Sequence, residues 1–299
     1  MAQQLRDVKR RIGSVESTQK ITRAMELISS SRIIKAQQRV EAARPYAETM
    51  RRLLVSVATN ASNVEHPLLQ QRDEVNKVGH IVVSSDRGLA GAYNSNVIRT
   101  AERDMQAEGA DVRLFLTGKK AVSYFRFRGY DTDESWTGFS DKPGIEDARN
   151  VASAAAKAFS DGEVDQVKLT YTRFESSAVQ RPHLTQVLPL TEEELEEAEE
   201  DDAGKGAQYE FEPSPEEILD YLLPRYLEST VYQALLEAAA SEHAARRRAM
   251  KAASDNAEEL IEDLTRDYNQ ARQAEITTEI MEVVGGAEAL AGNASDGPS

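Results

Sequence analysis

The feature that most constrains this chain is a stretch without glycine, from about Ser214 to Val284. It starts Ser214-Pro215-Glu216-Glu217. Serine can cap a helix, proline suits the first helical position, and glutamate three residues on closes a capping box. Glycine returns only at Gly285-Gly286. One helix of about 70 residues, rising about 1.5 Å each, is a rod on the order of 100 Å long. An ordinary helix has about 11 to 12 residues. A single compact core cannot bury such a rod, so other surfaces must surround it.

Along this stretch Leu227, Val231, Ala234, Ala238, Ser241, Ala245 and Ala252 keep near-heptad spacing, continued by Leu260, Leu264, Tyr268, Ala271, Thr278 and Met281. The middle of that seam is alanine and serine, which lets a second helix approach closely. Pro224 is expected to kink the first turns. The N-terminus carries a matching pattern over residues 3–58. Leu5, Val8, Ile12, Val15, Thr18, Ile21, Met25 and Ile28 recur at spacings of three and four, then Val40, Ala43, Ala47, Met50, Leu54 and Val57. Sustained 3–4 spacing reads as a coiled-coil seam. Pro45 predicts a kink or junction near Ala43-Arg44. Two long helical patterns at opposite ends of one chain pair most simply as an antiparallel coiled coil.

A different module lies between them. Val78–Ser84, Val112–Thr117, Gln166–Thr172 and Leu184–Leu190 are short apolar or β-branched runs, hence strands. Helices are expected from Tyr93 to about Ala107, from Gly118 through Arg126, and over 145–159. Strands alternating with helices imply a mainly parallel sheet covered on both faces. The fold class is therefore α/β: a long antiparallel coiled coil of the N- and C-terminal helices with an inserted Rossmann-like α/β domain. The expected boundaries are 1–60 for the first helix, 77–212 for the α/β domain, 213–287 for the last helix and 288–299 for a disordered tail. Glu192 to Asp202 holds nine carboxylates in eleven positions. Such a run buries too little apolar surface to fold alone, so 191–206 is expected to be a surface loop.

Composition narrows the chemistry. There is no cysteine, which excludes disulfides, thiolate catalysis and cysteine metal sites. His66, His80, His183 and His243 show no ligand spacing, and the acidic run lacks the turn of a calcium loop; no metal or cofactor is expected. The net charge is −15, yet residues 1–52 hold twelve Lys/Arg and five Asp/Glu, a net of +7, leaving −22 for the remainder. An acidic total argues against general nucleic-acid binding, while a basic N-terminal segment suits an acidic protein surface. No apolar run reaches the roughly 18 residues of a membrane span, and the N-terminus lacks an apolar signal core. The chain is expected to be cytoplasmic, or attached to a membrane only through partners. The turn Ser85–Gly91 fits neither G-x-G-x-x-G nor the P-loop pattern, so it reads as a tight strand-to-helix connection with Asp86 and Arg87 as exposed candidates for protein contacts. No serine elbow and no selectable carboxylate pair is present, and no active site is expected. Arg246-Arg247-Arg248 with Lys251 fans basic charge around the last helix.

Several runs are specific enough to name a family. Leu5-Arg6-Asp7-Val8-Lys9-Arg10-Arg11-Ile12, Thr18-Gln19-Lys20-Ile21-Thr22 and Ala24-Met25-Glu26 stand at the start. Tyr268-Asn269 and Ala271-Arg272-Gln273-Ala274 stand near the end, and Ile276 to Ala289 reads I-T-x-E-x-x-E-x-x-x-G-A-x-A. With Ser84–Gly91 and Ala249–Asn256, and in this order, they closely resemble the γ subunits of the rotary F-type ATP synthases, in a bacterial form. The resemblance spans about residues 1–290. It implies a central rotor shaft that couples proton flow to ATP synthesis and hydrolysis in other subunits. It implies α and β subunits around the paired helices, and an ε subunit and the c ring of the membrane sector at the α/β domain. By position Tyr209 and Glu212 resemble residues that touch the c ring. Arg246, Arg272, Gln273 and Thr277 resemble shaft residues that engage β-subunit loops, and Met25 lies where the shaft meets an acidic β segment. Apart from the resemblance, a nucleotide-dependent enzyme built on the α/β module and a generic coiled-coil scaffold remain open.

Overall fold

The computed structural model describes residues 2–60, 66–72, 74–132, 134–190 and 214–294. The elements, in chain order, are α1 (Ala2–Asn60), a 3-10 turn (Pro67–Leu69), β1 (Lys77–Val83), α2 (Tyr93–Glu108), β2 (Asp111–Thr117), α3 (Lys119–Phe127), β3 (Ser135–Trp136), α4 (Ile145–Ser160), β4 (Gln166–Phe174), β5 (Gln180–Leu188) and α5 (Pro215–Ala294). The expected acidic loop 191–206 lies outside the described residues. Two compact units divide the chain: Met1–Leu27 with Ala249–Ser299, and Ile28–Arg248. These divisions fall inside α1 and α5, because the inner stretches of both helices supply side chains to the core of the sheet.

In the unit Ile28–Arg248, the sheet order is β3-β2-β1-β4-β5. β1 pairs in parallel with β2 and β4, and β2 with β3, as βαβ connections dictate. β5 is antiparallel to β4, since the short connection between them is a hairpin. Alternate residues of β1 enter different cores. Ile81 and Val83 join Phe115, Leu169 and the alanine-rich face of α4 (Ala148, Ala152, Ala155). Val82 joins Leu114, Leu116 and the buried face of α2 and α3. Alanine on α4 lets its backbone lie close to the sheet, and the bulk comes from Val151 and Phe159. The last helix adds Leu219, Leu223, Leu227, Val231, Ala234 and Ala238 to the first of these cores, at spacings of three and four, and α1 adds Leu54 and Val57. Further along, Ala36 and Val40 of α1 pack with Leu236 and Ala240 of α5. Advancing on one helix matches retreat on the other, so the two are antiparallel.

The α1 seam differs from the expected one. In this unit Ser29, Ile33, Ala36 and Val40 are buried, while Ile28 is 53% exposed. In the unit of the chain ends, Thr22 is buried and Ile21 is 60% exposed. Each expected isoleucine sits one residue before the buried position, a turn of about 100°. On α5 the seam runs through Met250, Ser254, Ala257 and Leu264, whereas Ala252, Leu260 and Met281 are exposed. From Ala238 to Ala244 the helix is buried on every side, contrary to a seam of one face. Neither proline ends its helix. α1 runs unbroken through Pro45 and α5 through Pro224, since proline removes one helical hydrogen bond and the flanking turns keep theirs. At the far end the helix passes Gly285-Gly286 and continues to Ala294, beyond the expected end at 287. Alanine and glutamate after the glycines favour helix.

In the unit of the chain ends, the Thr22 and Ser254 hydroxyls are hydrogen-bonded at 2.6 Å. Thr22→Val is expected to destabilise by about 1–2 kcal/mol, because it strands the Ser254 hydroxyl in a buried seam. Adding Ser254→Ala should recover most of that loss. Chemical denaturation of the single and double variants measures the difference.

Candidate functional site

The connection from β1 to α2 is built from small polar residues, and each has a partner. The Ser84 hydroxyl donates to the Thr117 carbonyl (2.9 Å) and accepts from the Ala121 amide at the start of α3 (2.9 Å). Ser85 is tied to Asn94, whose Oδ1 accepts from the Ser85 amide at 2.9 Å. The Asp86 carboxylate accepts from the amides of Lys119 (3.2 Å), Gly138 (2.8 Å) and Ser140 (3.2 Å). Asp86 thus ties the turn to the start of α3 and to the segment before α4. Asp86 is half-buried rather than fully exposed, with its carboxylate bonded within the chain. Arg87 is exposed, as expected, and pairs with Asp141 at 3.2 Å.

Leu89 follows at φ 61, the one described non-glycine residue at positive φ. That conformation is unfavourable by about 1–2 kcal/mol for a residue with a Cβ. The neighbouring carbonyl is held from outside the turn. The Arg246 guanidinium of α5 donates to the Gly88 carbonyl at 3.2 Å and to the Glu242 carboxylate at 2.5 Å. Both partners are buried, Arg246 at 6% and Glu242 at 1% exposure. Burial pushes the Glu242 carboxyl above its ordinary value, against the pull of Arg246. Burial also raises the Tyr93 phenol well above its ordinary range, with Glu242 adding to the effect. Arg246 thus clamps the turn to the helix. Of the basic charge expected to fan around the last helix, Arg246 is buried and internal. Arg248 also reaches the chain itself, donating to the Ser177 carbonyl at 3.0 Å.

Beside this clamp, Asp141 accepts from Arg32 at 2.8 Å, and its backbone carbonyl faces His243 Nε2 at 3.4 Å. Burial holds the His243 imidazole below its ordinary value, opposed by Asp141. A cavity of ≈ 350 Å³ opens here, lined by Arg32, Lys35, Arg39 and Lys142 around Asp141 and His243. Four cations stand around one carboxylate here, beside Ala36, Pro143, Leu236 and Ala239. The net +7 of the N-terminal segment signalled basic charge, but the cavity's membership depends on which residues α1 turns toward the sheet.

The remaining expected contacts lie in the other unit. Met25 is half-buried on α1, while Arg272, Gln273 and Thr277 are exposed on α5. Thr277 donates back to the Gln273 carbonyl at 2.9 Å. Tyr209 and Glu212 fall outside the described residues. No helix among the described residues is long and apolar enough to cross a membrane.

Comparison with known proteins agrees with this architecture. A family model described as ATP synthase matches residues 4–290. The ATP synthase gamma chain of Acidothermus cellulolyticus is 51% identical over 99% of this chain and 100% of that one. The gamma chain of Mycolicibacterium smegmatis is 48% identical over 98% and 100%. In fold, the chain is similar to one in the Euglena gracilis mitochondrial ATP synthase (OSCP/F1/c-ring), with a TM-score of 0.66 at 17% identity, covering 100% of this chain and 98% of that one. A chain of the Tetrahymena thermophila mitochondrial ATP synthase central stalk/c-ring structure gives a TM-score of 0.59 at 24% identity, over 78% and 99%. Terminal helices that pair antiparallel around an inserted α/β module, with sequence kinship along nearly the whole length, leave one assignment: the chain belongs to the ATP synthase gamma-chain family.

Proposed function

We propose that this chain is the central shaft of a rotary ATP synthase, coupling proton flow through the membrane sector to ATP synthesis and hydrolysis. The observation that carries this reading is its full-length kinship with ATP synthase gamma chains. The chain itself carries out no ATP chemistry, which belongs to its α and β partners. An asymmetric shaft offers a different surface to each catalytic partner in turn. Each contact favours one conformation of that partner over another, and rotation passes this bias around the ring as a population shift.

Three features suit the chain to that role. The clamp of Arg246 on Gly88 ties the α/β module to α5, so torque on one is carried by the other without slip. The cavity of Arg32, Lys35, Arg39 and Lys142 suits an acidic segment of a β subunit. Ile276, Ile280, Met281 and Val283 are exposed along α5. Apolar contact is non-directional, so such a surface can turn inside an apolar sleeve without a fixed register. Met25, Arg272, Gln273 and Thr277 are the shaft contacts to β loops, and Arg87 is an exposed contact of the module. Arg246 and Asp86 act inside the chain, as positioning residues. Tyr209 and Glu212 are assigned to the c ring, with ε beside the α/β module. These partners hold the chain at the cytoplasmic face of the membrane; nucleic acid is not among them.

Reconstituting α and β with and without the chain tests the reading, with ATPase rate and co-assembly as readouts. The chain should join the complex and raise the rate. Equal activity and no co-assembly would sink the proposal. Within the assembled complex, Lys35→Glu with Arg39→Glu, or Arg272→Ala with Gln273→Ala, should lower the coupled rate about fivefold or more, as loss of an interface hot spot does.

A further inference from the structure

Outside the surfaces assigned above, ionisable groups gather beneath the last turns of α2. Parallel pairing of β1 and β4 sets His80 opposite Lys168. α2 carries Asp104 and Glu108, four residues apart and so on one helix face. Lys168 Nζ lies 3.0 Å from Asp104 and is also hydrogen-bonded to Glu108. His80 is fully buried, and neither ring nitrogen has a hydrogen-bond partner. Its Nε2 is aimed at Glu108 Oε2, 3.6 Å away, too far for a hydrogen bond. A buried nitrogen without a partner is unfavourable. Two carboxylates also face a single ammonium. An imidazole nitrogen and two carboxylate groups thus converge on one place.

We propose that His80, Asp104 and Glu108 form a binding site for a first-row divalent cation of the zinc class. One imidazole with two carboxylates is a mixed nitrogen and oxygen donor set that suits zinc-like ions, whereas calcium and magnesium prefer oxygen alone. One ligand atom from each residue lies within 4.8 Å of the others. Ligand atoms about 2.0–2.2 Å from a tetrahedral zinc stand about 3.4 Å apart. Closing the set therefore needs a shift of roughly 1 Å. The Asp104 and Glu108 side chains, 20% and 23% exposed, have the freedom to supply it. Their open side provides the entry path and room for water as the fourth ligand. Lys168 competes for the same two carboxylates, and its ammonium must swing aside when the ion enters. The bound ion joins β1 to the end of α2, beside the Lys168 pairs that join β4 to the same helix.

Calorimetry with zinc on the full-length, chelator-stripped chain tests this, together with the visible spectrum of cobalt as a reporter of coordination. One ion per chain is expected, with a tetrahedral cobalt spectrum. Glu108→Gln, at the half-exposed edge of the site, should keep the fold by circular dichroism and weaken zinc about tenfold or more. His80→Gln should abolish the cobalt spectrum. Lys168→Met should tighten zinc about tenfold, by removing a like charge next to the ion. No binding by the unmodified chain overturns the site, even if Lys168→Met binds. Binding that Glu108→Gln leaves unchanged also overturns it, and would place the ion elsewhere, as on the acidic run Glu192–Asp202.

Discussion

Replacing Arg246 with methionine is expected to destabilise the chain by about 3–5 kcal/mol at neutral pH. The change leaves the Glu242 carboxylate, 1% exposed, without the only cation bonded to it among the described residues. A buried charge that has lost its partner retains its desolvation penalty and loses the attraction that offset it. The Gly88 carbonyl loses its donor at the same time, and Leu89 beside it must hold its positive φ without that support. The double variant Glu242→Gln with Arg246→Met should lie within about 2 kcal/mol of the parent, since no charge is then stranded. The loss should also depend on pH. Burial sets the Glu242 carboxyl above its ordinary value, so the protonated form favours folding. That contribution is fully present below the ordinary carboxylate range and disappears as pH rises through the raised folded value. Without Arg246 the folded value rises further. The gap between Arg246→Met and the parent should therefore narrow as the pH falls from neutral toward the carboxylate range. Urea denaturation of the parent and both variants at pH 7 and pH 5 measures this; a gap that widens in acid contradicts it.

Gly118→Ala should produce a comparable loss, about 3–5 kcal/mol, from geometry with no charge involved. Gly118 joins β2 to α3 at φ 85 and ψ 141, a region essentially closed to residues with a Cβ. An added Cβ would also stand 2.3 Å from the Ser84 carbonyl oxygen and 2.8 Å from its hydroxyl. The obstacle is mainly backbone at the end of β1, which cannot step aside without opening the bond from the Ser84 amide to the Thr117 carbonyl (3.0 Å). Gly109→Ala is the contrasting case. It sits at φ 66 with nothing within 4 Å of the new atom, so only the backbone term of about 1–2 kcal/mol applies. Thermal melting of the two variants should separate them clearly. Equal losses would mean that the close approach at Ser84 carries no weight.

Much of the fold was legible because the signals were local. Helix spacing, the start at Ser214-Pro215 and the β-branched runs of the four longer strands are set by neighbours a few residues apart, and the observed bounds differ by only a few residues. The hairpin of β5 on β4 and the two-residue β3 were not legible, since pairing direction and edge strands depend on distant partners. The same limit applies to Ile21 and Ile28. Their hydrophobicity marks them for burial, yet the buried positions are Thr22 and Ser29, because the face α1 turns inward is set by distant partners.

The candidate sites divide in the same way. Basic charge near the N-terminus and the arginine run at 246–248 could be read directly. That Arg246 faces inward onto Gly88, while Arg32, Lys35 and Arg39 line a cavity with Lys142, depends on which way each helix is turned. His80, Asp104 and Glu108 have no recognisable ligand spacing in the chain; a strand and the helix above it bring them together. The sequence by itself determined the long terminal helices, the inserted α/β module and the kinship with ATP synthase gamma chains, since periodicity and motif order survive without coordinates. Only the tertiary structure decided which charges are buried, which are paired and which converge, because burial and Coulomb energy depend on distances in space that linear order does not contain.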